Sequence, residues 1–114
     1  MDWLPLISEK QLMDIDLLSE QENIKAVVIF KHSTRCGVSS MALDRLERKW
    51  DQPAGEVPVY FLDLLKFRDL SHKIAEKYGV RHESPQVLLI KNGKCIYHTS
   101  HSGITVPAIQ EALS

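Results

Sequence analysis

One cysteine in this sequence stands where a thiol becomes a nucleophile. Cys36 lies in the run Lys31-His32-Ser33-Thr34-Arg35-Cys36-Gly37-Val38-Ser39-Ser40. The continuously apolar stretch Ala26-Val27-Val28-Ile29-Phe30 leads into it and suits a strand covered on both faces. After it, Ala42, Leu43, Leu46 and Trp50 recur at helical spacing, which predicts a helix over 39–50. A thiol at such a strand-to-helix turn sits at the positive end of the helix dipole. That position favours the thiolate, the reactive form. Lys31, His32 and Arg35 add positive or potentially positive groups close in sequence. Ser39 offers a hydroxyl to the sulfur, and the Val38 and Ser39 amides lie near the helix start. Cys36 is thus the candidate nucleophile, with Ser39, Arg35 and His32 as candidates to stabilise its thiolate. For His32 the competing reading is a solvated loop histidine.

The remaining elements must position that turn. Trp3 to Ile7 suits a short strand or docked arm, and Ser8-Glu9-Lys10-Gln11 fits a capping box that starts a helix at Ser8. Asp51 to Glu56 is a loop containing Pro53 and Gly55, and Val57 to Leu64 is a strand candidate ending near Asp63. Leu70, Ile74 and Tyr78 place a helix over Arg68–Tyr78, closed by Gly79. Gln86 to Lys91 is a buried strand. Asn92-Gly93 is a hairpin turn, and Cys95 to Thr99 returns antiparallel. Thr105 caps a last helix with Pro107 in its first turn. The order is (β)αβαβαββα, an α/β class with a parallel βαβ half followed by a ββα half.

The totals narrow the functions available. A chain of 114 residues, 44% hydrophobic, is one domain, residues 1–114, with one core's worth of apolar material. A net charge of -1 argues against nucleic acid or an anionic membrane as the partner. No apolar run approaches the roughly 20 residues that span a bilayer. The N-terminus has no basic, signal-like stretch, so a reducing cytoplasmic location with two free thiols is expected. The pair His98 and His101 lacks a Cys or carboxylate to complete a metal site, and no metal is expected. Neither a Ser-His-Asp set nor a phosphate-binding glycine loop is present.

Two segments carry a resemblance to known proteins. The strand-turn-Cys36-helix unit, and Tyr78-Gly79-Val80-Arg81 through Ser84-Pro85 to Asn92-Gly93-Lys94, are similar to the thioredoxin active site and its cis-proline hairpin. The chain departs from thioredoxin in three ways. Ser39 replaces the second cysteine, Arg35 stands where thioredoxin has a tryptophan, and Phe30 replaces its buried acid. The combination Phe30 to Thr34, Cys36-Gly37-Val38-Ser39 and Gly79 to Gln86 resembles the YtxJ family of monothiol bacilliredoxins.

That resemblance implies a thioredoxin-like three-layer α/β/α fold with a central mixed sheet. It implies exchange with bacillithiol, a small cysteine-containing thiol, which would act as co-substrate with no bound cofactor. S-thiolated client proteins would be the macromolecular partners. Pro85 would be cis beside Cys36, with Ser84 presenting its backbone to the disulfide. Arg81 and His82 would face the same groove and recognise an anionic small thiol. Cys95 opens the strand after the hairpin turn, so the six residues of the preceding strand put it roughly 20 Å from the Pro85 end, too far to resolve a disulfide with Cys36. A glutaredoxin-like exchanger of another small thiol, or a non-catalytic peptide-binding module, remains an alternative from the residues alone.

Overall fold

The computed structural model describes all 114 residues. Five strands and four α-helices follow one another as β1 (Trp3–Pro5), α1 (Lys10–Ser19), β2 (Val27–His32), α2 (Gly37–Lys49), β3 (Val59–Asp63), α3 (Arg68–Tyr78), β4 (Gln86–Lys91), β5 (Lys94–Ser100) and α4 (Val106–Leu113). A single 3-10 turn, His101–Gly103, joins β5 to α4.

The strands form one sheet in the order β1-β3-β2-β4-β5. β1, β3 and β2 run parallel, while β4 is antiparallel to β2 and β5 to β4. The crossovers of the parallel half put helices on both faces, so the central strands are buried on both sides. Every residue of β2 is buried. The alternation of a strand then divides the core in two. Val27 and Ile29 pack with Leu12, Ile15, Leu70 and Ile74 on the α1–α3 side. Val28 and Phe30 pack with Ala42, Leu46, Val106 and Ile109 on the α2–α4 side.

The predicted order holds, and the boundaries differ in instructive places. β2 runs two residues beyond Phe30, which draws Lys31 and His32 into the sheet. α2 begins at Gly37, so Cys36 itself is the N-cap residue. α1 begins at Lys10 and not at Ser8. There the Gln11 half of the capping box forms: its Oε1 accepts from the Ser8 amide at 3.0 Å and the Ile7 amide at 2.7 Å. α3 spans the predicted residues, and Gly79 closes it in the left-handed conformation, φ 65°.

The hairpin tip also has positive φ at Asn92 and Gly93, 53° and 73°, the geometry of a type I′ turn. Its amides donate back to Ser19 at the end of α1, Asn92 to the carbonyl at 3.0 Å and Gly93 to Oγ at 2.9 Å. This fixes the far end of β4 and β5. The near end, at the carboxyl termini of β2 and β3, carries Cys36.

Candidate active site

Cys36 leaves β2 through a tight turn. Ser33 to Cys36 close on one another, with the Cys36 amide donating to the Ser33 carbonyl at 3.1 Å. Thr34 and Arg35, the two central residues of that turn, are exposed, and Cys36 is half-buried. The Cys36 backbone is extended, φ -106° and ψ 118°, as an N-cap requires, and its carbonyl accepts the first helical bond from Ser40 at 3.1 Å. Cys36 thus stands at the amino end of α2, and no acidic side chain occupies the first turn of that helix.

The serine three residues on is buried and fully engaged. Ser39 Oγ accepts from the Ser33 amide at 3.1 Å and lies 2.6 Å from His32 Nδ1. The 2.6 Å contact joins the hydroxyl and the imidazole in one hydrogen bond whose direction follows the histidine tautomer. The expected direct bond from Ser39 to the sulfur is not what the hydroxyl makes. It instead pins the turn that presents Cys36.

His32 is not a solvated loop residue. It ends β2, is 5% exposed, and stacks on Phe30 and lies tilted against Phe61, with ring centroids 5.7 and 5.2 Å away. Burial lowers its pKa from the ordinary histidine value, partly opposed by Asp63. Trp3 of the edge strand completes this aromatic layer, its centroid 5.6 Å from those of Phe30 and Phe61. Phe30, at the position of thioredoxin's buried acid, is fully buried among apolar neighbours.

Lys31 points the other way. The strand period sends it to the α1–α3 face, where it is fully buried and adds no charge to the turn. Its ammonium donates to the Ser71 carbonyl at 3.1 Å and to His82 Nδ1 at 3.3 Å. Burial brings its pKa down to about 8. His82, expected beside Arg81 in one open groove, is half-buried against α3, with Ser71 Oγ 3.1 Å from Nδ1. Its pKa is lowered by burial first, then by Lys31 and His72. Arg81 remains exposed. The candidate residues thus separate into a Cys36–Ser39–His32 group and a Lys31–His82 group on opposite faces of the sheet.

The segment before β4 has the expected shape. The Ser84–Pro85 bond is cis, and Pro85 is buried. Two contacts hold the loop. Gln86, almost wholly buried, donates from Nε2 to the Arg81 carbonyl at 2.9 Å. Glu83 accepts from the Ser100 hydroxyl, which together with His101, Arg81 and His98 holds its carboxyl below the usual range. Gln86 escaped the sequence reading because a glutamine opening a strand carries no pattern of its own.

Cys95 belongs to a different environment. It pairs with Ile90, which pairs with Val27, so it lies level with the start of β2. Five residues at about 3.3 Å separate that level from His32, roughly 16 Å along the strand. Its half-buried sulfur packs on the α1–α3 core, donates to the Tyr97 carbonyl at 3.3 Å, and burial pushes the thiol pKa up. A disulfide needs Cα atoms within about 7 Å, so the two thiols do not meet in this fold.

Comparison with known proteins now adds a family to the geometry. The model of the family described as monothiol bacilliredoxin BrxC matches residues 6–109. The chain belongs to the monothiol bacilliredoxin family. Among solved structures it is similar to a proposed oxidoreductase with a thioredoxin fold, at 31% identity over 98% of this chain and 94% of that one, TM-score 0.80. It is also similar to the thioredoxin Mala s 13 of Malassezia sympodialis, at 27% identity over 96% of this chain and 85% of that one, TM-score 0.67. The N21Q thioredoxin of Halobacterium salinarum NRC-1, at 20% identity over 97% and 87% and TM-score 0.66, shares the fold. The bacilliredoxin has a thioredoxin fold and a thiol redox role. None of its helices is long and apolar enough to cross a membrane.

Proposed function

We propose that this bacilliredoxin removes a small thiol, bacillithiol in the family's reading, from mixed disulfides on client proteins, using Cys36 alone. The Cys36 thiolate attacks the small-thiol sulfur of the mixed disulfide. A Cys36–small-thiol disulfide forms, the client sulfur leaves as thiolate and takes up a proton. A second small thiol, as thiolate, then attacks the sulfur of the first small thiol where it is bonded to Cys36, and Cys36 leaves as thiolate. The products are the small-thiol disulfide and regenerated Cys36 thiolate. Atoms and electrons balance with no bound cofactor or metal.

The observation that carries this reading is the half-buried sulfur at the N-cap of α2 with a hydroxyl, not a second thiol, three residues on. Ser39 has no sulfur for internal release, and Cys95 is a sheet length away. A mixed disulfide on Cys36 therefore waits for an external thiol. Ser39 and His32 act as positioning residues for the turn, Arg35 supplies an exposed positive charge beside the thiolate, and Ser84 and Pro85 form the opposite wall to which the disulfide docks through backbone contacts.

The test is an intact-mass measurement after a single turnover on a bacillithiolated client, with free small thiol withheld. A stoichiometric adduct on Cys36 is expected. An internal Cys36–Cys95 bond would make this a two-cysteine enzyme and overturn the mechanism. Repeating the reaction with a glutathionylated client separates a bacillithiol-selective enzyme from a general exchanger. A Cys36 inert toward both would leave a binding module.

A further inference from the structure

At the carboxyl ends of β2 and β3 a cavity of about 260 Å³ opens between Leu64, Arg68, Ser71, His72 and His82. Its position is tied to the reactive turn. The Leu64 amide donates to the His32 carbonyl at 3.1 Å. Cys36 is one residue plus one β-turn beyond His32, hence within roughly 11 Å of it by Cα. Crevices at the carboxyl ends of parallel strands, beside the point where the sheet changes direction of growth, are where such sheets bind ligands.

The cavity lining carries one permanent cation, Arg68, with two histidines and no acidic side chain. Arg68, His72 and His82 face it, and the buried ammonium of Lys31 bonds both Ser71 and His82 from beneath. The His72 and His82 rings stand 5.9 Å apart. Neither Lys31 nor Arg68 forms an ion pair, since the molecule's four pairs are Lys25–Glu56, Arg48–Asp44, Lys73–Glu9 and Lys77–Asp16. The acids nearest in the chain are otherwise occupied or exposed. Asp63 Oδ1 accepts from the Leu65 and Lys66 amides, Glu83 binds Ser100, and Asp69 lies in the exposed first turn of α3. A buried cation without a counter-charge is costly and is relieved by a bound anion. A hollow of about 410 Å³ between Ile7 and Lys73 mixes Glu9 and Asp69 with Lys66, Arg68 and Lys73, so acids stand among its cations.

We propose that this cavity receives a carboxylate-bearing arm of the small thiol while its sulfur exchanges at Cys36. The proposal rests on the exchange reading above and names the part of the co-substrate that the site selects. Arg68 meets the carboxylate from the rim, as guanidinium groups do in two-point contact, with His72 and His82 alongside. Lys31 supplies positive charge from below, its ammonium bonded to His82 Nδ1 and the Ser71 carbonyl.

Two probes test it: mixed disulfides of a reporter peptide with N-succinylcysteine amide and with its methyl ester, which differ by one carboxylate. The wild type is expected to favour the carboxylate probe about tenfold in kcat/KM, the scale of one charge-assisted hydrogen bond. Arg68→Gln and His72→Gln, both at exposed positions, should cut that ratio to about threefold or less, the ratio cancelling any general loss of rate. An unchanged ratio in both variants, or no preference in the wild type, overturns the proposal while leaving exchange at Cys36 intact. Failure of the wild type to exchange with either probe would instead strike the exchange reading. The pocket is then decided separately by titrating Cys36→Ser protein with succinate and following the His72 and His82 ring resonances. Saturable shifts that weaken in Arg68→Gln support the site. No shift, or shifts with inorganic phosphate alone, overturn it.

Discussion

The two cysteines occupy opposite ends of one sheet and opposite kinds of place. Cys36 is the N-cap residue of a helix, half-buried behind an exposed turn, at the positive end of the helix dipole. Cys95 lies inside β5 with its sulfur turned to the core, where burial opposes ionisation. The residue type is the same, and the fold makes one a candidate nucleophile and the other a packing group. Thiol chemistry here is a property of strand register and helix start.

The largest expected effect comes from removing each sulfur in turn. Cys36→Ser should reduce release of a small thiol from a mixed disulfide to the uncatalysed rate. Cys95→Ser should change it by less than about twofold, because nothing in the exchange cycle uses that sulfur. A released-thiol assay on both variants decides this. Loss of turnover in Cys95→Ser would erase the contrast between the two ends. The native protein sharpens it further by alkylation near pH 7. Iodoacetamide should label Cys36 at least about tenfold faster than Cys95, by peptide mass spectrometry, given burial and raised pKa at the latter. Equal rates would mean that the helix-start position confers nothing.

The next effect tests how the reactive end is held. Ser39→Ala leaves His32 Nδ1 without its hydrogen-bond partner and the Ser33 amide without its acceptor, within a buried network. The expected cost is about 1–3 kcal/mol in unfolding free energy. Exchange should slow several-fold through a looser turn, since Cys36 itself is intact. Denaturant unfolding and single-turnover rates measure the two separately. Complete loss of exchange in a folded Ser39→Ala protein would mean that the hydroxyl serves the sulfur directly.

How much of this was legible in the chain follows from what a local pattern encodes. The strand-helix alternation, the αL cap at Gly79, the Asn92-Gly93 turn and the Thr105 cap each rest on short-range preferences, and each stands where the sequence placed it. Cys36 was legible because strand and helix signals flank it. The ends of β2 were not, since a lysine and a histidine after an apolar run look like the start of a loop. Tertiary partners decide otherwise: α3 supplies Ser71 and the β4 loop supplies His82 for Lys31, while Ser39, Phe30 and Phe61 receive His32. The hydrogen bonds among them join residues 7 to 51 positions apart and leave no trace in spacing. Arg68 and His72 escaped notice for the same reason, lying on the exposed side of an ordinary amphipathic helix.

The smallest expected effect concerns that second face, and pH isolates it. Lys31 in the folded protein has its pKa lowered from 10.5 to about 8 by burial. Between those two values the unfolded chain holds more of the lysine's proton than the folded one, so this group adds stability as pH rises. Below about 8 both states are protonated and the burial cost is felt in full. Lys31→Met keeps the stem's bulk and removes the charge. It should be more stable than the wild type at pH 7 by about 1 kcal/mol, the lower end of what replacing buried charges with apolar groups yields. That advantage should shrink between pH 8 and 10.5. Cys95 and Tyr78, whose pKa values are raised, pull stability down in the same range, but they do so in both proteins. The difference between two urea titrations at each pH therefore reports Lys31 alone. A Lys31→Met protein less stable than the wild type at pH 7 would show that the bonds to Ser71 and His82 outweigh the cost of burying the ammonium.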